Sequence, residues 1–351
     1  MGAPVERATI DARMTLDDRF DELAASVGGF YRSWAVYLGL ELGLLERIRS
    51  AGQAGIEPVE LAASCGCITE PVEAWVRLAH AVDLIEFDGR RVQPIDDVMR
   101  VLLDNERAEY LGGQFVSTVV SSLDYERLTE FFRTGQPISE RPPRFHQAIE
   151  VVTAQDIAVF FQEALAELPD LAAQLATGGR ILDVACGGGR WLIAVARRFP
   201  ETSLIGVEFE PDSVSRATRH VTEAGLDTRI RIDNRDPVDL PWTGEFDLVY
   251  FQDALHELPD PIGALRSAWA AVRPRGRLLV LDWCLPDNVE ESRSLQGAML
   301  WGIQLDEIYQ GTQMWPQAGY ESLFAGADLP RPAVIELPSG ATLFQAVRLP
   351  G

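Results

Sequence analysis

Three short stretches hold the residues best suited to chemistry. The first, "ILDVACGGGRWL" (181–192), ends an apolar run at Asp183 and then sets Gly187, Gly188 and Gly189 in a row. Glycines carry no side chain, so a ligand can lie directly against the main-chain amides there. A pyrophosphate would require G-x-G-x-x-G/A, yet bulky Leu192 occupies the place where a small residue lets helix pack on strand. That mismatch favours a nucleoside ligand without a phosphate. The second stretch, "LIGVEFEPD" (204–212), offers Glu208 and Phe209. A carboxylate accepts from a vicinal diol, each charged hydrogen bond contributing roughly 1.5–3 kcal/mol, and the phenyl ring can pack on a base. The third, "FQDALHELPDP" (251–261), contains His256, one of 4 histidines, beside Gln252 and Asp253. Histidine is the commonest general base, whereas rim polar residues such as the other two are more often plain loop residues.

These stretches need a scaffold that gathers them. Downstream of about residue 175 the pattern alternates strand and helix, which predicts a parallel sheet covered by helices. "RILDVA", "TSLIGVEFE", "RIRID", "FDLVYF" and "RLLVLDW" read as five strands, the last entered from a turn in "RPRG". "RPAVIEL" and "ATLFQAV" are separated by a connection too short for a helical crossover, so they read as an antiparallel hairpin. The first half carries helix candidates and "DLIEFDGRRVQP", where Asp88-Gly89 is a type I′ hairpin signal. The expected fold is α/β: a Rossmann-like, seven-stranded, doubly wound sheet with an antiparallel C-terminal hairpin, preceded by a mainly helical winged-helix domain. The expected domains are 1–170 and 171–351. In open α/β sheets ligands bind at the carboxyl ends of the strands, where all three stretches terminate.

Composition narrows the partners. With 31 basic against 53 acidic residues the formal charge is -22, which repels phosphate backbones and anionic lipids. Nucleic acid and membrane are therefore expected not to be partners, despite the winged helix. Cys65 and Cys67 form C-x-C with no second pair, and Cys186 and Cys284 flank strands; all read as reduced and structural. The start "MGAPVERATIDARMTLDDRF" is polar and acidic, unlike a secretory signal, so a cytoplasmic location is expected. No spacing converges on a metal, with His256, Asp253 and Asp282 the sole remote candidates, and none is expected.

With its motifs in order, the segment from about 170 to 351 resembles the class I S-adenosylmethionine-dependent methyltransferases. Their first motif is an acid followed by G-x-G-x-G, matched by Asp183 through Gly189 with Ala185 in place of the first glycine. The resemblance implies that Asp183, Ala185, Gly187 and Gly189 receive S-adenosyl-L-methionine, and that Glu208 holds the ribose hydroxyls. It further implies that Phe209 packs on the adenine, that Asp236 accepts from its amino group, and that Phe251 belongs to the cofactor site. A helical domain ahead of this fold resembles the small-molecule O-methyltransferases of secondary metabolism, and implies a homodimer. "LDYERLTEFFRTGQP" is similar to their connecting segment, and "FVSTVV" (115–120) fits an interface or an intradomain core equally. His256 aligns with the family's base, but Glu257-Leu258 replaces the usual Asp-Trp, so base and bystander roles both stand. The segment 291–315 matches the region that roofs the acceptor, which implies acceptor contacts for Met299, Trp301, Asp306 and Tyr309. Asp306 and Glu307 are candidates to orient His256 or a polar acceptor group, a pairing that sequence alone does not establish. The expectation is methyl transfer to a small molecule, oxygen being the leading acceptor atom. Alternatives are N- or C-methylation, a non-methylating hydroxylase or rearrangement enzyme on the same scaffold, and a ligand-sensing winged-helix regulator.

Overall fold

The computed structural model describes residues 15–138 and 141–350; the polar start at 1–14 and residues 139–140 of "SERPPR" lie outside the described residues. The chain separates into two compact units, Met1–Leu103 and Asp104–Gly351. The change of sequence pattern near residue 170 thus falls inside the second unit. Among the described residues no helix is long and apolar enough to cross a membrane.

The first unit runs α1 (Leu16–Glu41), α2 (Leu44–Ala51), α3 (Pro58–Ser64), α4 (Thr69–Ala81), β1 (Ile85–Phe87), β2 (Val92–Pro94) and α5 (Asp96–Leu103). Thr15 and Asp18 form a capping box that starts α1. Gly39 lets α1 close on Leu45 and Trp75, whose indole N–H donates to the Ala35 carbonyl at 2.9 Å. The β1–β2 hairpin is present, but its register pairs Phe87 with Val92 and leaves four residues in the loop. The expected two-residue type I′ turn is therefore corrected. A type I′ turn needs positive φ at both central residues, and only Gly89 has it. Asp88 instead accepts the N–H groups of Arg90 and Arg91 at 2.7 and 2.6 Å, which stabilises the wider loop.

The second unit begins with α6 (Gly112–Ser122), α7 (Leu128–Thr134) and α8 (Pro143–Val159). α8 continues through a π-helical turn (Phe160–Ala164) and α9 (Leu165–Glu167) to α10 (Pro169–Ala176). Then follow β3 (Gly179–Val184), α11 (Arg190–Arg198), β4 (Thr202–Glu208), α12 (Pro211–Glu223), β5 (Ile230–Asn234), β6 (Phe246–Gln252), α13 (Pro261–Ala271) and β7 (Val272–Asp282). α14 (Leu295–Gln310), α15 (Gln317–Gly326), β8 (Ala333–Glu336) and β9 (Thr342–Val347) complete it. The seven strands stand in the order β5-β4-β3-β6-β7-β9-β8, parallel from β5 to β7 and antiparallel in the last two pairings.

The sheet is buried on both faces, which explains why its strands read as continuous apolar runs. Ile181 joins a core with Phe160, Leu171, Leu175, Leu192 and Val195, while Leu182 and Val184 join another with Leu265, Ala268, Tyr320 and Phe324. Helices α8–α10 thus share a core with the sheet, which is why compactness does not break at residue 170. Val119 and Val120 of "FVSTVV" are buried within this unit, where α6 packs along α8. The "RPRG" turn is also corrected: these residues form an irregularity inside β7, with Arg275 at φ 66 and exchanging backbone hydrogen bonds with the Arg348 segment.

Candidate active site

The sheet reverses its strand order between β3 and β6, and the loops after β3, β4, β6 and β7 meet at that switch point. β3 delivers Asp183, 2% exposed, whose carboxylate accepts no hydrogen bond among the described residues. Burial, reinforced by the charge of Glu208, holds its carboxyl well above the usual carboxylate range. The loop then turns through Ala185 at φ 59, Gly187 at φ 50 and Gly189 at φ 70, and Gly189 caps α11. Ala185 takes the left-handed conformation that glycine adopts without strain, and carries a cost of about 1–2 kcal/mol for its methyl. Gly187 has open space where a side chain would stand.

Glu208, at the end of β4, organises this loop. Gly187 donates its N–H to Oε2 at 2.9 Å, and Phe209 and Glu210 donate to Oε1 at 2.9 and 3.0 Å. Burial raises the carboxyl's pKa, and these three N–H groups oppose the rise. A carboxylate offers about four lone-pair sites, so Glu208 keeps room for one further donor on Oε2. Beside it a cleft is lined by Phe209, Asp236, Pro237, Val238, Leu258 and Ala264. Phe209 is 39% exposed there. Asp236 accepts the Val238 N–H on Oδ1 at 3.0 Å, leaving Oδ2 unengaged. Phe251 sits elsewhere: fully exposed to core and not to solvent, it packs among Leu255, Leu265 and Val280 because its strand position faces α13.

The ends of β6 and β7 bring a second group of residues together. His256 is buried, and its Nδ1 lies 3.0 and 3.2 Å from the two oxygens of Asp282. That pairing leaves Nε2 facing Glu307 Oε2 at 4.0 Å. Burial opposes a charge on the ring, yet Asp282, Asp253 and Glu307 outweigh it and hold the imidazole well above its ordinary pKa. Asp253, at φ 45 beyond β6, is pushed well up by burial and by Asp156. Asp156 of α8 accepts from Trp283 Nε1 at 3.1 Å, and burial raises its carboxyl to about 7. Asp253, His256 and Asp282 place one ligand atom each within 4.8 Å of one another, as do His256, Glu257 and Glu307. The strands' convergence thus assembles a His/carboxylate cluster that linear spacing does not display.

The four residues expected at the acceptor occupy different faces of α14. Met299 and Trp301 are 42% and 45% exposed. Asp306 pairs with Arg141 at 2.7 Å, and Tyr309 is buried with its hydroxyl donating to the Asp124 carbonyl at 3.2 Å. Glu307, one residue and about 100° further round the helix, is the side chain that meets His256. Sequence reasoning set Asp282 beside His256 only as a remote metal candidate and missed it as the partner of the ring nitrogen. The signal was there: "RLLVLD" ends an apolar strand on an acid just as "RILDV" nearly does.

Residues 175–321 match the family model described as a methyltransferase domain. Over these residues the chain is similar to methyltransferase domains. Within it, 134 residues are 31% identical to the 27-O-demethylrifamycin SV methyltransferase of Amycolatopsis mediterranei (strain S699), covering 37% of this chain and 49% of that one. The chain thus spans about half the length of the curated relatives it matches. Solved structures extend the likeness over the whole chain as a matter of fold. PigF with SAH is 18% identical at a TM-score of 0.72, covering 95% of this chain and 99% of that one. An O-methyltransferase family protein from Burkholderia thailandensis is 18% identical at 0.67, covering 95% and 98%. The fold of the methyltransferase domain is that of the class I enzymes, with the antiparallel hairpin at its edge.

The residues present suit a sulfonium nucleoside. Asp183 is a buried carboxylate with no donor among the described residues, Gly187 has an open side, and Asp236 and Phe209 offer an acceptor and an apolar face in one cleft.

Proposed function

We propose that the chain transfers a methyl group from S-adenosyl-L-methionine to an oxygen of a small-molecule acceptor. The bound cofactor supplies an electrophilic methyl on a positively charged sulfur. Asp183 accepts from the aminoacyl end, Glu208 takes one ribose hydroxyl on its remaining lone pair, and Asp236 accepts from the adenine edge. His256 is the base: Asp282 fixes Nδ1, so Nε2 is the atom that takes the acceptor's proton. Glu307 stabilises the imidazolium that results. The observation that carries this reading is the His256–Asp282 pair at 3.0 Å, which leaves one ring nitrogen free at the switch point. The names of the rifamycin and ubiquinone relatives, both O-methyltransferases, support oxygen as the acceptor atom.

The first unit supports a homodimer. Leu16, Phe20, Leu23, Val27, Phe30 and Tyr31 repeat along α1 at three- and four-residue spacing, each more than half exposed. Such a stripe is the seam that a second copy of the helix covers.

Methyl-labelled cofactor, incubated with the purified chain and a panel of hydroxylated metabolites, should yield labelled product. His256→Ala should cut turnover by about 10²–10⁴-fold while leaving cofactor affinity within about twofold. Unchanged turnover removes His256 from the mechanism. Failure to bind the cofactor in calorimetry removes the reading itself.

A further inference from the structure

The middle glycine of the loop packs against a side chain from α8. A methyl added at Gly188 would lie 2.9 Å from Glu150 Oε1, so the carboxylate of this α8 residue rests directly against the glycine. Arg216 of α12 pins that carboxylate, its Nε donating to Oε1 at 2.7 Å, and Arg190 at the start of α11 stands 3.7 Å from Oε2. One turn beyond Arg216, His220 closes the other side. Its Nδ1 lies 2.9 Å from the Gly188 carbonyl and its Nε2 lies 3.2 Å from Arg190. A carbonyl only accepts and a guanidinium only donates, so Nδ1 donates to Gly188 and Nε2 accepts from Arg190. Glu208 grips Gly187 on one side and this second set grips Gly188 on the other.

We propose that Glu150, pinned by Arg216, is a positioning residue that latches the glycine loop in the shape that receives the nucleoside. The proposal rests on the cofactor reading above. Glu150 meets the loop at Gly188, so its proposed action runs through the loop backbone. Its carboxylate fixes the position of a residue whose own lack of a side chain leaves the backbone free to drift. The same contact gives Gly188 a packing reason to be glycine, distinct from the positive φ that Gly187 and Gly189 require. Preorganised backbone donors bind more tightly than mobile ones because the ordering entropy is spent in folding.

A double-mutant cycle on the full chain, with S-adenosylhomocysteine as the calorimetric probe, tests this. Glu150→Ala should weaken binding by about tenfold, because ordering of the loop is then spent on binding. Gly188→Ala should weaken it by a similar factor, since its methyl must displace the carboxylate. Glu150→Gln should stay within about threefold, because the amide oxygen still accepts from Arg216. The double variant Glu150→Ala with Gly188→Ala should bind no worse than the weaker single variant, because the obstacle to the new methyl is gone. Amide exchange at Gly187–Gly189 should speed up in Arg216→Gln, a readout independent of ligand. Wild-type affinity in Glu150→Ala, or single effects that multiply in the double variant, overturns the latch while leaving the cofactor reading intact. No binding by the wild-type chain overturns the cofactor reading and the latch together.

Discussion

His256 and its neighbours concentrate the chemistry into a few atoms. A base must be neutral to take a proton, whereas Asp282, Asp253 and Glu307 favour the charged ring. The sign is that of a histidine with a raised pKa: imidazolium persists above the usual 6.5, and the neutral base accumulates as pH rises further. An NMR titration should therefore place the His256 midpoint above 6.5. Removing a negative neighbour destabilises the cation, so Glu307→Gln should move that midpoint down. His146 supplies an internal contrast, since burial and Arg216 depress its pKa. A His256 midpoint at or below that of His146 contradicts the arrangement. The placement of Asp183, Gly187 and Glu208 at or just beyond the ends of β3 and β4 was readable from sequence, because strand ends fix such positions. On α14 it was not. Asp306 and Glu307 differ by one helical step, and which one faces inward depends on the rotation of α14, which packing of Leu300 against Leu285 and Met314 sets.

At the level of elements, the strands could be read because both faces of the sheet are covered and the runs are apolar throughout. The helix that follows the loop packs close for an identifiable reason. A methyl at Gly206 of β4 would meet Leu192 Cδ1 at 2.6 Å and Cys186 Sγ at 2.7 Å. Leu192, which ruled out the pyrophosphate motif, thus finds its space on the neighbouring strand instead. Gly206→Ala should lower stability by about 1–3 kcal/mol, the usual cost of overpacking, in denaturant unfolding. A change below about 0.5 kcal/mol means that α11 shifts freely and that the contact does not hold it. Turns were less legible. Asp88-Gly89 and "RPRG" both carry turn chemistry, yet a side-chain acceptor widened one and a strand absorbed the other. Turn propensity is local, while the register around it is set by long-range pairing.

The whole molecule adds association and charge. If the α1 stripe is a seam between copies, Phe20→Glu should shift the chain toward monomer in sedimentation while leaving its helix content unchanged. A dimer unaffected by that charge places the interface elsewhere. The boundary between compact units was hidden from sequence because α8–α10 look like the helical front yet bury Phe160, Leu171 and Leu175 on the sheet.

Among the described residues, Asp253, Asp282 and Glu307 make no ion pair with an arginine, and the chain contains no lysine. The proton on the imidazole is thus a placeholder for a missing positive charge. A cationic ligand that docks beside it makes the placeholder redundant, and binding and proton release become linked parts of one equilibrium. On the proposed reading, a cationic ligand docked there would displace that proton, and its affinity would rise with pH.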